Sequence, residues 1–171
     1  MQLLFIHADS MEYEVKERTK VFEEIPDGHG KVRLEDALVV FVTVEKEDEE
    51  GIDKVAALGA SEVRDVARGL KARRVLLYPY AHLSSSHSSP KSAIEAMKGL
   101  EAGLKDDLEV FRAPFGWYKS FTIACKGHPM SELSREVRLG PEGEAEAKKA
   151  EDPGRYLILT KEGTEVQPCA F

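Results

Sequence analysis

"DALVVFVTVE", residues Asp36–Glu45, is apolar at nearly every position. A strand with one wet face alternates apolar and polar residues, whereas a continuous apolar run of strand length reads as a strand buried on both faces. Downstream, "RVLLYPY" (Arg74–Tyr80) repeats the pattern. Between them, Ile52–Lys71 places Ile52, Val55, Val63, Val66 and Leu70 at the spacing of one helix face. "AHLSSSHSSP" (Ala81–Pro90) is a polar loop whose Ser89 and Pro90 suit an N-cap and a first helical position. Ile94, Met97, Glu101 and Leu104 then mark a second helix with a mostly apolar face.

Upstream, Gln2–Ala8 reads as a short strand, and Tyr13–Val21 as its hairpin partner. "IPDGHGK" (Ile25–Lys31) is a loop by its Pro, Gly and Asp content. Leu108–Ala113 and Trp117–Cys125 read as strands, and Ser131–Leu139 fits strand or helix, with strand favoured. The order is two strands, two strand–helix units and three strands. Right-handed crossovers put both helices on one face of a sheet. The remaining strands need a second layer, so the spacing predicts a mixed α/β domain of sheet/sheet/helix layers.

That domain fills residues 1–140. Residues 141–153 are charged, with Gly and Pro, and read as a linker. Residues 154–171 fit a small hairpin, Tyr156–Thr160 against Thr164–Val166. A lone hairpin is not a stable unit, so it either docks back or begins a connection to a further domain.

Composition excludes several classes. The chain has 171 residues, enough for one domain, with 42% hydrophobic and 32% charged residues. No apolar run approaches the roughly 20 residues of a membrane span, and the N-terminus lacks the basic region and cleavage site of a signal peptide. Two cysteines, Cys125 and Cys169, make no disulfide framework, and a cytoplasmic setting is expected. The net charge of −7 argues mildly against nucleic acid. The acid, however, is concentrated in Glu45–Asp53 and Glu142–Asp152, and Arg112–Arg138 holds five Lys/Arg against two Glu. A local basic zone suffices for a few phosphates.

No motif of nucleotide cofactors appears. A zinc site from His82, His87 and His128 lacks any supporting spacing, so no metal is expected. "HLSSSHSS" offers hydroxyls without the elbow of a serine nucleophile. His82 carries more weight, because it follows a buried strand at the carboxyl end, where α/β sheets hold ligands.

"APFGWYKSFTIACKGHP" (Ala113–Pro129) is the other informative stretch. Trp117, Lys119, Phe121, Ile123 and Cys125 share one strand face, which sets Lys119 among apolar neighbours. Burying an ammonium without a partner is costly. Either an anion compensates or Lys119 snorkels out at the strand end. Glu132 is the candidate anion if a hairpin closes at Gly127-His128-Pro129, since Lys119 lies eight residues before Gly127 and Glu132 five after it. Phe115-Gly116 offers exposed backbone beside a ring, a seat for a nucleobase.

"LLFIHAD", "EYEVKE", "YPYAHLSS", "APFGWYKSF" and "CKGHPMSELSR" together resemble the N-terminal editing domain of archaeal-type threonyl-tRNA synthetases, across about residues 1–140 and in matching order. The resemblance implies a fold similar to D-aminoacyl-tRNA deacylases and hydrolysis of L-serine wrongly esterified to threonine tRNA, with no cofactor. It puts Lys119 at the chemical centre, with His82, Tyr118 and Glu132 as the other polar residues of the pocket. Val44, Pro79, Tyr80 and Ala81 match the amino-acid side, and Phe115, Gly116 and Trp117 the surroundings of the terminal adenosine. Trp117 stands where the family pattern has tyrosine, and Tyr80 where it has phenylalanine; both keep an aromatic surface. The expected partners are the tRNA 3′ end, a synthetase catalytic region in cis or in trans, and a second copy in a homodimer. A free-standing D-aminoacyl-tRNA deacylase and a non-catalytic tRNA-binding module are the alternatives.

Overall fold

A computed structural model describes residues 1–25 and 30–140, together with the backbone of three short strands at 145–148, 158–159 and 165–166. Strands β1 (Gln2–Arg18) and β2 (Lys31–Thr43) are followed by helix α1 (Ile52–Leu70), β3 (Arg74–Pro79) and helix α2 (Pro90–Leu104). Next come β4 (Glu109–Arg112), β5 (Trp117–Cys125), β6 (Glu132–Leu139) and β7 (Ala145–Lys148). One mixed sheet runs β4-β3-β2-β1-β6-β7, and β5 pairs β1 off that path.

β2 explains the unbroken apolar run. Leu38, Val40, Val42 and Val44 point into the core beneath the helices, where they meet Val63, Met97 and Leu100. Val39 and Phe41, from the alternate positions, enter a second core with Met11, Tyr13, Leu76 and Tyr78. The strand is buried on both faces, so no polar residue interrupts it. β2–β3 and β3–β4 pair in parallel across α1 and α2, as the strand–helix spacing predicts. The helices approach closely through small residues: a Cβ on Gly99 would lie 2.8 Å from the Cβ of Ala56. Ser89 caps α2, its hydroxyl accepting from the Ser92 amide at 3.3 Å.

Two expectations are corrected. Gln2–Ala8 and Tyr13–Val21 are not a hairpin: Gln2–Ala8 and Tyr13–Arg18 are parts of one 17-residue strand, whose antiparallel partner is β2, and Thr19–Val21 lie beyond its end. One strand therefore precedes the strand–helix units, not two. The apparent break at Asp9 is a bend inside β1. The β5 register shifts between Ala8 and Ser10, and Asp36 in β2 takes a φ of 50°. Lys126 pins the bend, its ammonium 2.7 Å from Asp9 and 3.0 Å from Asp36. Beyond the bend the sheet folds over its own face, bringing the Tyr13 ring 5.8 Å from Tyr78. The second layer is thus the same sheet turned back on itself.

The other correction concerns β5 and β6. They do not form a hairpin with each other. Both pair antiparallel with β1, β6 along Gln2–Ile6 and β5 along Ala8–Arg18.

The segment read as a linker contains β7, antiparallel to β6. Ile158–Leu159 and Glu165–Val166 pair as a two-stranded antiparallel ribbon. The tip of the 25–31 loop and Cys169 lie outside the described residues.

Candidate active site

The carboxyl ends of β2 and β3 and the start of β5 enclose a cleft of about 760 Å³. Val44 lies just past the end of β2. Pro79, Tyr80, Ala81 and His82 come from the end of β3 and the turn beyond it, and Phe115 to Lys119 from the mouth of β5. The sequence expectations thus converge on one place, because two parallel strands end side by side and β5 runs back over them.

Val44 is buried, and Thr43 beside it donates its hydroxyl to the Tyr80 carbonyl, tying the two strand ends together. Tyr80 lies edge-on between the rings of Phe41 and His82, with centroids 4.9 and 5.2 Å away. His82 is exposed at the rim. His87 closes the serine loop with a 2.7 Å contact from its Nε2 to the Ala81 carbonyl. Opposite, Trp117 is fixed by a 2.8 Å hydrogen bond from its Nε1 to the Glu23 carbonyl and by an edge contact with Phe22. Tyr118 alternates outward and is 66% exposed.

Lys119 is half-buried in this cleft. Its ammonium donates to the carbonyls of Pro114 (2.9 Å) and Trp117 (3.0 Å) and lies 5.1 Å from the centroid of the Tyr78 ring. Burial pushes it down to about 8, against the opposing pull of the Glu23 carboxylate. Burial likewise lifts the Tyr78 phenol to about 12. A lysine near 8 still donates at neutral pH yet is poised to lose its proton, which makes it a competent electrostatic or acid–base group.

Glu132 is not its partner. With β5 and β6 on opposite halves of β1, Glu132 pairs across to Ile6 and lies 3.6 Å from the Cys125 thiol. Cys125 is six residues from Lys119, roughly 20 Å along a strand. Glu132 therefore stands outside this cleft. His128 is likewise not among the residues lining the cleft with His82, its Nε2 sitting 2.8 Å from Nδ1 of His7. Among the described residues no three His, Cys, Asp or Glu side chains gather as metal ligands, and no helix is long and apolar enough to cross a membrane.

Sequence reasoning missed one wall of the cleft. Thr19, Lys20 and Val21 line it from the segment after β1, and Met97 lines it from α2. Tyr78, which reads only as a core strand residue, provides the floor beneath Lys119. Phe121, on the strand face shared with Lys119, is 42% exposed and touches Phe41 and Tyr78 at the cleft edge.

Residues 1–137 match the archaea-specific editing domain of threonyl-tRNA synthetase. The chain belongs to that family. The threonine–tRNA ligase of Methanothrix thermoacetophila is 51% identical over 175 residues, covering 100% of this chain and 28% of the relative. That of Methanosarcina mazei is 53% identical over 147 residues, covering 86% and 23%. The chain thus spans about a quarter of the length of these relatives. Among solved structures, the c-Myc DNA Unwinding Element Binding Protein superimposes with a TM-score of 0.56 at 10% identity, covering 80% of this chain and 98% of that one. That likeness concerns the fold alone. As a member of the editing-domain family, the protein places its cleft within a module whose family role is proofreading.

Proposed function

We propose that the cleft hydrolyses the ester of L-serine misattached to threonine tRNA. The observation that carries this reading is Lys119. A half-buried ammonium with a lowered pKa sits between an apolar recess at Val44–Ala81 and an aromatic wall at Phe115–Trp117. An aminoacyl adenosine has the matching parts: a small side chain, an ester and a flat base that stacks on aromatic rings. Water attacks the ester carbonyl, the bond from the acyl carbon to the ribose oxygen breaks, and the proton passes to that leaving oxygen. Serine and tRNA are released. Lys119 stabilises the developing oxyanion, and His82 at the rim orients the water or the ribose. No side chain in the cleft is set up as a nucleophile, so direct attack by water accounts for the chemistry without a covalent intermediate.

The selectivity has a physical basis. Serine lacks one methyl group of threonine, and a synthetic site discriminates such a difference by only about 1–3 kcal/mol. A second site that admits serine and excludes the methyl removes the residual error. Val44, Pro79 and Tyr80 are the walls that would meet that methyl. The reaction needs no metal or cofactor. The tRNA is presented by a synthetase catalytic region, which the full-length relatives suggest, in the cytoplasm. The protein acts as a homodimer, a state supported by the outer edge of β5, which has no partner strand among the described residues.

The test is single-turnover deacylation of seryl- and threonyl-tRNA(Thr), with and without chelator, alongside sedimentation of the same sample. Serine loss much faster than threonine loss, unaffected by chelation, is the expected result, with a mass of two chains. Equal rates on the two esters would refute the reading. Preference for D-aminoacyl esters would point to the deacylase alternative, and binding without turnover to a tRNA-binding module.

A further inference from the structure

We infer that Glu23 is a positioning residue for Lys119: its carboxylate, kept largely out of water, holds the turn on which the lysine ammonium rests and faces that ammonium with a negative charge that a neutral acceptor would not supply. The inference rests on the cleft being the hydrolytic site. Glu23 lies in the segment after β1, beside a stretch whose Pro, Gly and Asp mark it as a loop and nothing more.

The turn Pro114–Trp117 and the segment Thr19–Glu23 are interlocked. The Thr19 amide and hydroxyl both donate to the Gly116 carbonyl, at 2.8 and 3.0 Å. The Glu23 amide donates to the Phe115 carbonyl at 3.1 Å. In return, the Phe115 amide donates to Glu23 Oε2 at 3.0 Å, and the Trp117 indole donates to the Glu23 carbonyl. Gly116 has a φ of 78°, and a Cβ there would lie 2.0 Å from the Val21 carbonyl oxygen, so backbone meets backbone with no room for a side chain. The two carbonyls that hold Lys119, those of Pro114 and Trp117, are the ends of this same turn. Whatever fixes the turn fixes the ammonium.

The side chain of Glu23 does more than a neutral acceptor would. It is 13% exposed and takes a 2.5 Å bond from Arg112, which itself gives a 2.7 Å bond to Glu101 of α2. Glu101 is also paired with Lys105 at 2.9 Å, which leaves Glu23 as the carboxylate of this chain of charges that lies against the turn. Buried ion pairs of this kind seldom exceed an apolar replacement in stability, so function is the better account of their cost. The groups that face Lys119 are the rings of Tyr78 and Tyr80, with Lys20, His82, His87 and Tyr118 around the cleft. Among the described residues Glu23 is the carboxylate that acts on it, and it opposes the loss of the lysine proton on burial. Arg112 in turn holds Glu23 ionised, below the usual carboxylate range.

The experiment reads the Lys119 titration directly, by NMR of protein labelled with ¹³C-lysine, the signal being assigned by its loss in Lys119→Met. Glu23→Gln keeps the shape and an acceptor oxygen but removes the charge. It should lower the midpoint by at least about half a pH unit. Glu101→Gln, one step further along the chain of charges, should lower it by less, and it decides alone if Glu23→Gln does not fold. A merely structural role predicts the opposite sign, since a loosened turn lets water reach the ammonium and the midpoint rises. An unmoved or raised midpoint in either variant would overturn the inference. In active protein the alkaline limb of the deacylation profile should move with the midpoint. Wild-type protein without deacylase activity would sink the proposed function, while the midpoint would still decide the role of Glu23.

Discussion

Lys119→Met separates the chemistry of the cleft from its stability. Methionine keeps an apolar stem of similar length and removes the ammonium. Lys119 falls from 10.5 to about 8 on burial, and each tenfold change in an ionisation constant is worth about 1.4 kcal/mol against the charged form. The folded protein therefore carries a cost of about 3 kcal/mol at neutral pH. Only part of it returns on substitution, because the Pro114 and Trp117 carbonyls lose their donor and regain only water. The pH dependence is cleaner than the absolute gain. The folded pKa lies below the unfolded one, so between pH 8 and 10.5 the unfolded chain binds more protons and the stability of the wild type rises with pH. Integrating over that window, the wild type should gain on the order of 2 kcal/mol relative to Lys119→Met between about pH 7 and 10. Urea unfolding of both proteins at the two pH values measures the difference. Single-turnover deacylation should fall by about 10²-fold or more in Lys119→Met. Lys119→Arg should not restore it, since a planar fork does not replace a compact ammonium held by two carbonyls. A stability difference that does not change with pH would show that the lysine is solvated. Wild-type hydrolysis by Lys119→Met would remove it from the chemical centre.

Gly116→Ala should destabilise the protein by at least ~2 kcal/mol, read as a drop in the urea midpoint, because both the φ of 78° and the Val21 carbonyl oppose a Cβ there; an unchanged midpoint would show that the two segments are not interlocked. His7 should make the fold sensitive to acid. Burial and the nearby Lys126 charge hold His7 below its ordinary 6.5, so the unfolded chain takes up the proton first and stability falls as pH drops through 6.5 and below. His7→Gln should flatten that dependence in denaturation at about pH 7.5 and 5.5, and an identical slope would assign the acid sensitivity to other groups.

Much of the architecture is local and is legible in the chain. The apolar run Asp36–Glu45, the helical spacing from Ile52 and the Ser89-Pro90 cap each report a short-range preference, and each falls in an element of the expected type, though β2 starts five residues earlier, at Lys31, and ends at Thr43. The cleft at the carboxyl ends of β2 and β3 is also legible, because parallel strands joined by right-handed crossovers must end on the same side. Strand pairing at long range is another matter. Nothing near Gly127-His128-Pro129 states that β5 and β6 ignore each other and share β1, and a hairpin there is locally as reasonable. That single choice removes Glu132 from Lys119 and leaves the ammonium to the carbonyls of its own turn. The continuity of β1 through Asp9 is hidden for the same reason: the bend is stabilised by Lys126, more than a hundred residues away. Glu23 is invisible in the sequence, one acid among many in a loop. Its meaning comes from the folded sheet, which excludes water around it and brings Arg112, Phe115 and Trp117 to a single residue. Periodicity records which face of an element is buried, while the partner of each face, and the charge left beneath it, depends on contacts that only the closed tertiary structure makes.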